Sequence, residues 1–194
     1  QIPWGVGHFF TPTDIFNPYR PTQIETQERQ GVDGIFAETG VLKKVADLEF
    51  VFTPHHEDHP NRLAFKLKRN ILGYDSSLLG GKRDRDSFIG FDFSGNLIHA
   101  ALRGEGIFVN AAEEKNYAQL TVNADYNFPR NFYGLLEYHF NGQGFTRRSR
   151  YDLAQYLSGN ITAMAKNYLG ATVAKDITPL WRVEVPVIMN LTDT

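Results

Sequence analysis

From residue 117 to 142 the chain reads YAQLTVNADYNFPRNFYGLLEYHFNG, and its apolar residues fall on every second position. Ala118, Leu120, Val122, Ala124, Tyr126 and Phe128 alternate with Gln119, Thr121, Asn123, Asp125 and Asn127. After a short turn, Phe132, Gly134, Leu136, Tyr138 and Phe140 share one side, with Glu137, His139 and Asn141 opposite. A period of two puts successive side chains on opposite faces of a strand. The stretch therefore predicts a hairpin with one apolar face and one polar, charged face.

The same period recurs along the chain. Ala46, Leu48, Phe50 and Phe52 alternate with Asp47, Glu49, Val51 and Thr53. Leu63, Phe65 and Leu67 alternate with Ala64, Lys66 and Lys68; Ile89, Phe91 and Phe93 flank Gly90 and Asp92. Ile98, Ala100, Leu102, Gly104 and Gly106 alternate with His99, Ala101, Arg103 and Glu105. Near the end, Trp181, Val183, Val185, Val187, Met189 and Leu191 alternate with Arg182, Glu184, Pro186, Ile188, Asn190 and Thr192. Helical periodicity is weak, and its best candidate is 151–165. The pattern predicts about ten or eleven strands of roughly 8–12 residues, the first near 3–10.

The links between strands alternate in length. Short links are predicted near 40–43, 72–73, 94–96, 129–131 and 176–179. Long polar links are predicted near 17–30, 54–61, 81–87, 110–116 and 141–160. An up-and-down antiparallel meander with its short turns at one end has this order, as outer-membrane barrels do. Greek-key sandwiches mix the lengths.

Alternation alone does not say which face points out, since a lipocalin-type barrel alternates with its apolar face inward. Three features favour apolar-out. Arg103, Glu105, Asp125, Glu137, His139, Arg182 and Glu184 share the polar face, and burying each unpaired charge in a dry core would cost several kcal/mol. A watery lumen removes most of that cost, so these seven are the candidate pore-lining residues. The other face has an aromatic girdle: Tyr126, Phe128 and Phe132 at the short-turn end, then Leu120, Val122 and Leu136, then Tyr138 and Phe140. Leu102, Trp181, Val183 and Val185 extend this candidate lipid-facing set. Ala100, Gly104, Gly106, Ala118 and Gly134 on that face would pack a soluble core poorly and are acceptable against lipid tails.

Composition narrows the function classes. A net charge of -2 does not mark a nucleic-acid binder, and absent cysteine excludes disulfides, thiolate metal sites and a cysteine nucleophile. No apolar run of about 18 residues predicts a transmembrane helix. The start, QIPWGVG, lacks the pattern of a signal peptide, which fits either a cytoplasmic protein or a removed leader.

GHFFTPTDIFNP (7–18), ERQGVDGIF (28–36), NILGYDSSLLGGK (70–82), FDFSGNL (91–97), LRGEG (102–106) and the ADYNF…LEYHFNG hairpin are together familiar. Over most of its length the chain resembles a poorly characterised family of Gram-negative outer-membrane β-barrels, porin-like in architecture. The resemblance implies fold and location, with export and insertion into the outer membrane, and carries no substrate or residue role. The expected fold class is thus all-β, an antiparallel up-and-down transmembrane β-barrel. Eleven strands would break the even count of bacterial barrels, and the chain ends LTDT without a terminal aromatic. Residues 1–194 are therefore read as one incomplete barrel domain, a part of a larger barrel of about 12–18 strands.

Several polar clusters compete as sites. His55, His56 and His59, in HHEDH, could ligate a borderline metal such as zinc, but successive loop positions converge poorly on one ion. A solvated external loop is the plainer reading. KRDRD (82–86) and TRRSR (146–150) could recruit anions at a pore mouth or contact lipopolysaccharide phosphates; ordinary solvated loops explain them too. The inward charges could tune ion selectivity or brace the wall as a cross-strand ladder. His139 beside Glu137 and Asp125 suggests acid–base chemistry, yet no nucleophile context accompanies it, and GVG (5–7) and GEG (104–106) lack phosphate-loop spacing. The residues 11–22, rich in Pro and Thr, read as an ordered loop, either folded into the lumen or external.

Three functions remain. The first is a passive outer-membrane channel for small polar solutes or ions, not an enzyme and without cofactor. The second is a structural or sleeve barrel in an outer-membrane complex, with little conductance of its own. The third is a soluble ligand-binding barrel. For the first two the partners are outer-membrane lipid and lipopolysaccharide, with a protein partner or a second copy for the sleeve, and no nucleic acid.

Overall fold

The alternation resolves into a single antiparallel sheet. The computed structural model describes residues 2, 4–16, 33–41, 45–54, 61–158 and 161–192. Its strands are β1 (Ile35–Val41), β2 (Ala46–Thr53), β3 (Arg62–Ile71), β4 (Tyr74–Arg83), β5 (Asp86–Leu97), β6 (Ala100–Asn110), β7 (Tyr117–Phe128), β8 (Phe132–Asn141), β9 (Asn167–Thr178) and β10 (Trp181–Asn190). Each pairs with its neighbours in sequence, in the order β1 to β10 without a crossover. β1 and β10 do not pair with each other, so the sheet is an open up-and-down meander and the expected barrel closure is not made among the described residues.

Four local expectations are corrected. Residues 3–10 form no strand: the described ones, 4–10, are irregular, with Gly5 at φ 101° and their amides turned to side-chain acceptors. Among the described residues the helical candidate shrinks to α1 (Leu153–Ser158), and the β-branched Ile161 and Thr162, poor helix formers, lie outside it. KRDRD is no long link: β4 and β5 extend until only Asp84 and Arg85 separate them, with Asp84 in the left-handed region at φ 53°. The β5–β6 turn lies at Ile98–His99 rather than 94–96, since Ser94, Gly95 and Asn96 still pair with Arg103, Leu102 and Ala101.

The sheet's two faces differ in exposure. One carries exposed Phe65, Leu78, Phe91, Leu120, Leu136 and Val185. On it, cross-strand aromatics cover glycines. Phe93 lies opposite Gly104 and Phe91 opposite Gly106, and a Cβ on Gly104 would meet the Phe93 ring at 2.5 Å. These glycines let a large ring lie flat on the neighbouring strand.

The other face holds Glu49, Lys66, Asp92, Glu105, Glu137 and His139, all buried. They are interspersed with Val51, Ala64, Leu79, Phe88, Ile107 and Val109, on which Trp4, Ile15 and Phe16 pack as the main apolar cluster. A smaller cluster joins Phe9 and Phe10 to Leu135 and Ala163. From β2 to β9 the polar face is largely covered by the chain's own N-terminal residues, whereas Arg182, Glu184 and Pro186 on β10 stay exposed.

Candidate functional site

Residues 4–16 cross the polar face and return. At the start, Trp4 Nε1 donates to Glu49 Oε2 on β2 at 2.8 Å. At the far point, the Phe10 ring lies on His139 of β8 and against Tyr168 of β9. At the end, the Phe16 carbonyl accepts from Arg62 Nη1 on β3 at 2.9 Å, and the Phe16 ring meets Trp4 edge-on, with centroids 5.0 Å apart. The segment thus leaves the β2–β3 side, reaches β8–β9 and comes back beside its own start. A turn closed by Asp14 N–H donating to the Thr11 carbonyl (3.0 Å) redirects it.

Two glutamates hold this loop. Glu105, midway along β6, clamps both legs: Val6 and Gly7 N–H donate to Oε1 at 3.0 and 2.6 Å on the outward leg. The Thr13 N–H at 2.9 Å and the Thr13 hydroxyl donate to Oε2 on the return. Glu137 on β8 holds the far point, taking the N–H groups of His8, Phe9 and Phe10 at 2.6, 3.0 and 2.9 Å and the Asn123 amide at 3.2 Å. Each carboxylate thus accepts four donors. Charge-assisted bonds of this kind are about twice as strong as neutral ones and offset the cost of burying the acids. An irregular loop has no ladder to satisfy its amides, and here two side chains replace it.

Glycines make the approach possible. A Cβ on Gly7 would sit 1.8 Å from the Phe10 carbonyl oxygen. On the sheet, a Cβ on Gly170 of β9 would strike the Phe9 ring at 2.3 Å.

Other polar-face residues form ion pairs and hydrogen bonds. Lys66 and Asp92 pair at 2.7 Å, with the ammonium 5.7 Å from the Trp4 ring centroid. Lys68 bridges Glu49 and Glu38 at 2.6 and 2.8 Å. Of the candidate pore-lining set, Arg103 pairs with Asp125 and reaches Asn123 at 3.3 Å. Arg182 lies between Glu184 (3.2 Å) and Asp176 (3.4 Å), over the Tyr133 ring. His139 Nδ1 is 2.9 Å from Thr121 Oγ1. Glu105, Glu137 and His139 thus touch the N-terminal loop directly, whereas Arg103, Asp125 and Glu184 lie on the same face within electrostatic reach of its His8.

The candidate lipid-facing set stands on the opposite face. Leu120, Val122, Phe128, Phe132, Leu136, Tyr138, Trp181, Val183 and Val185 are exposed, and Leu102, Tyr126 and Phe140 are half-buried by neighbours. His55, His56 and His59 lie outside the described residues, among which no cluster of three or more His, Asp or Glu could hold a metal ion.

Sequence reading missed Trp4, Gly5, Gly7, Phe10, Thr13 and Arg62 as parts of this assembly. The spaced glycines of GVG and the turn-forming TPT were the available signal. Residues 11–16 of the Pro- and Thr-rich stretch do fold onto the polar face; 17–22 lie outside the described residues. No family model, curated protein or solved structure matches the chain.

Proposed function

We propose that these ten strands belong to the wall of an outer-membrane β-barrel. It acts as a porin-like channel for passive passage of small polar solutes or ions, with its bore narrowed by residues 4–16. The observation that carries the reading is the inverted polarity of the sheet. Large apolar side chains such as Phe65, Leu78, Phe91 and Leu136 are exposed across neighbouring strands, while Glu105 and Glu137 are 0% and 1% exposed. In water so wide an apolar face would drive aggregation; against lipid tails it needs no cover. Strands of 10–12 residues from β3 to β10 suit a tilted crossing of the hydrocarbon layer, which takes about 9–11. A soluble ligand-binding barrel would put its apolar face inward.

One observation favours the sleeve reading: the polar face is already occupied by the chain's own segment, which leaves less room for a continuous pore. The two are separated by single-channel recording of the detergent-extracted protein in a planar bilayer under a salt gradient. Stepwise conductance is expected, its reversal potential reporting whether arginines or acids dominate. A folded, inserted protein that stays silent overturns the channel reading and leaves the sleeve.

A further inference from the structure

We propose a binding site for a small monocarboxylate at the long-link end of the polar face, built on Arg62 and Arg83. Arg62 on β3 and Arg83 on β4 are direct cross-strand partners. Like charges so placed repel and destabilise a sheet, and an anion between them would relieve that cost. Both line a cavity of about 130 Å³ between the N-terminal loop, the wall and residues 161–163.

Each guanidinium group has an acid beside it, Asp14 near Arg62 and Asp86 in an ion pair with Arg83, but keeps donors in reserve. Arg62 is 8% exposed and gives Nη1 to the Phe16 carbonyl, while its buried Nε has no hydrogen-bond partner among the described residues. Arg83 forms an ion pair with Asp86 at 3.5 Å and reaches the Tyr117 hydroxyl at 3.4 Å, both long for hydrogen bonds. A planar donor fork suits a carboxylate, which accepts two parallel N–H groups.

The same cavity limits what enters. Its volume of about 130 Å³ matches about four waters, enough for an acetate-sized ion. Asp14 and Asp86 also line it, so a second negative charge on the ligand would be repelled, which selects a monoanion. Access is open: a wider hollow of about 680 Å³ shares Arg83, Asp86 and Tyr117 with it. The site needs only the wall and the N-terminal loop in place, and does not depend on ion passage.

The test is saturation-transfer NMR of acetate titrated onto the detergent-solubilised full chain, at constant ionic strength set with sodium chloride. Wild type should show saturable transfer to the acetate methyl. Arg83→Gln should weaken binding at least tenfold with an unchanged far-UV circular dichroism spectrum. Arg62→Gln should do the same, but it also frees the Phe16 carbonyl, so Arg83→Gln decides. No saturable transfer to a folded wild type, or Arg83→Gln binding as wild type does, overturns the site.

Discussion

The Phe10 ring lies flat on the imidazole of His139, their centroids 4.2 Å apart and their planes within 3° of parallel. This stack pins the point where the N-terminal loop turns back, 129 positions along the chain from its partner. Phe10 is buried, and truncating a buried Phe to Ala commonly costs about 3–5 kcal/mol. Here the loop can lift while the sheet stays paired, so the loss should appear as local opening. Phe10→Ala is expected to speed amide exchange across 6–14 by more than tenfold while the exchange of β5–β7 stays as in wild type. Hydrogen-exchange mass spectrometry reads both. Equal protection of 6–14 in the variant would mean that the stack does not hold the loop.

Glu137→Gln separates charge from shape. The amide keeps one acceptor oxygen but turns an NH₂ group toward backbone N–H donors, and the three amides of His8, Phe9 and Phe10 compete for what remains. Bonds to a charged acceptor contribute about 1.5–3 kcal/mol each, so losing even one should release the far point. Cleavage near residues 8–10 by a non-specific protease should accelerate at least tenfold, with the wall intact. If the loop lines a bore, Glu137→Gln should also raise the unitary conductance.

The strands were legible because their signal is local. Alternation over 8–12 residues needs no knowledge of the partner, and the faces of β7, β8 and β10 follow from it residue by residue. Turn positions were less legible: KRDRD looks like a solvated link, yet β4 and β5 pair down to Arg83 and Asp86, since flanking strands extend wherever a neighbour is available. The loop over 4–16 was the least legible part. Glu105 could be placed on the polar face from its parity alone, but its donors at Val6, Gly7 and Thr13 lie 92–99 positions away. No periodicity encodes such a contact, and an isolated glutamate in a strand reads as a wetted charge.

Face assignment is tested at two adjacent positions of β10. Val185 points to the apolar face and Pro186 to the polar one, and both are exposed. An arginine on a lipid-facing position near mid-bilayer costs about 2–4 kcal/mol, whereas one in a wet interior costs little. Val185→Arg should therefore lower the folded fraction on refolding into lipid vesicles, read by the heat-modifiable gel shift, and Pro186→Arg should leave it near wild type. Thr121, beside Val122 on β7, makes a poor control because it is buried against His139. Equal refolding of the two β10 variants would sink the lipid-facing assignment.

Gly170 offers a way to dislodge the loop without touching it. The glycine lies on the polar face of β9, opposite Glu137, and Phe9 rests on the space its missing side chain leaves. A methyl group there would overlap the ring at 2.3 Å, closer than any real contact, and the ring is held in place by the Phe9 and Phe10 amides on Glu137. Gly170→Ala should thus push Phe9 out and loosen 8–10, although alanine is otherwise the better strand residue by up to about 1 kcal/mol. The double variant Phe9→Ala, Gly170→Ala removes the clash, so its loop should be better protected against exchange than in Gly170→Ala alone. Two neighbours sharing one space are expected to be non-additive by about 0.5–3 kcal/mol. Additive effects in that cycle would show that Phe9 does not sit on Gly170.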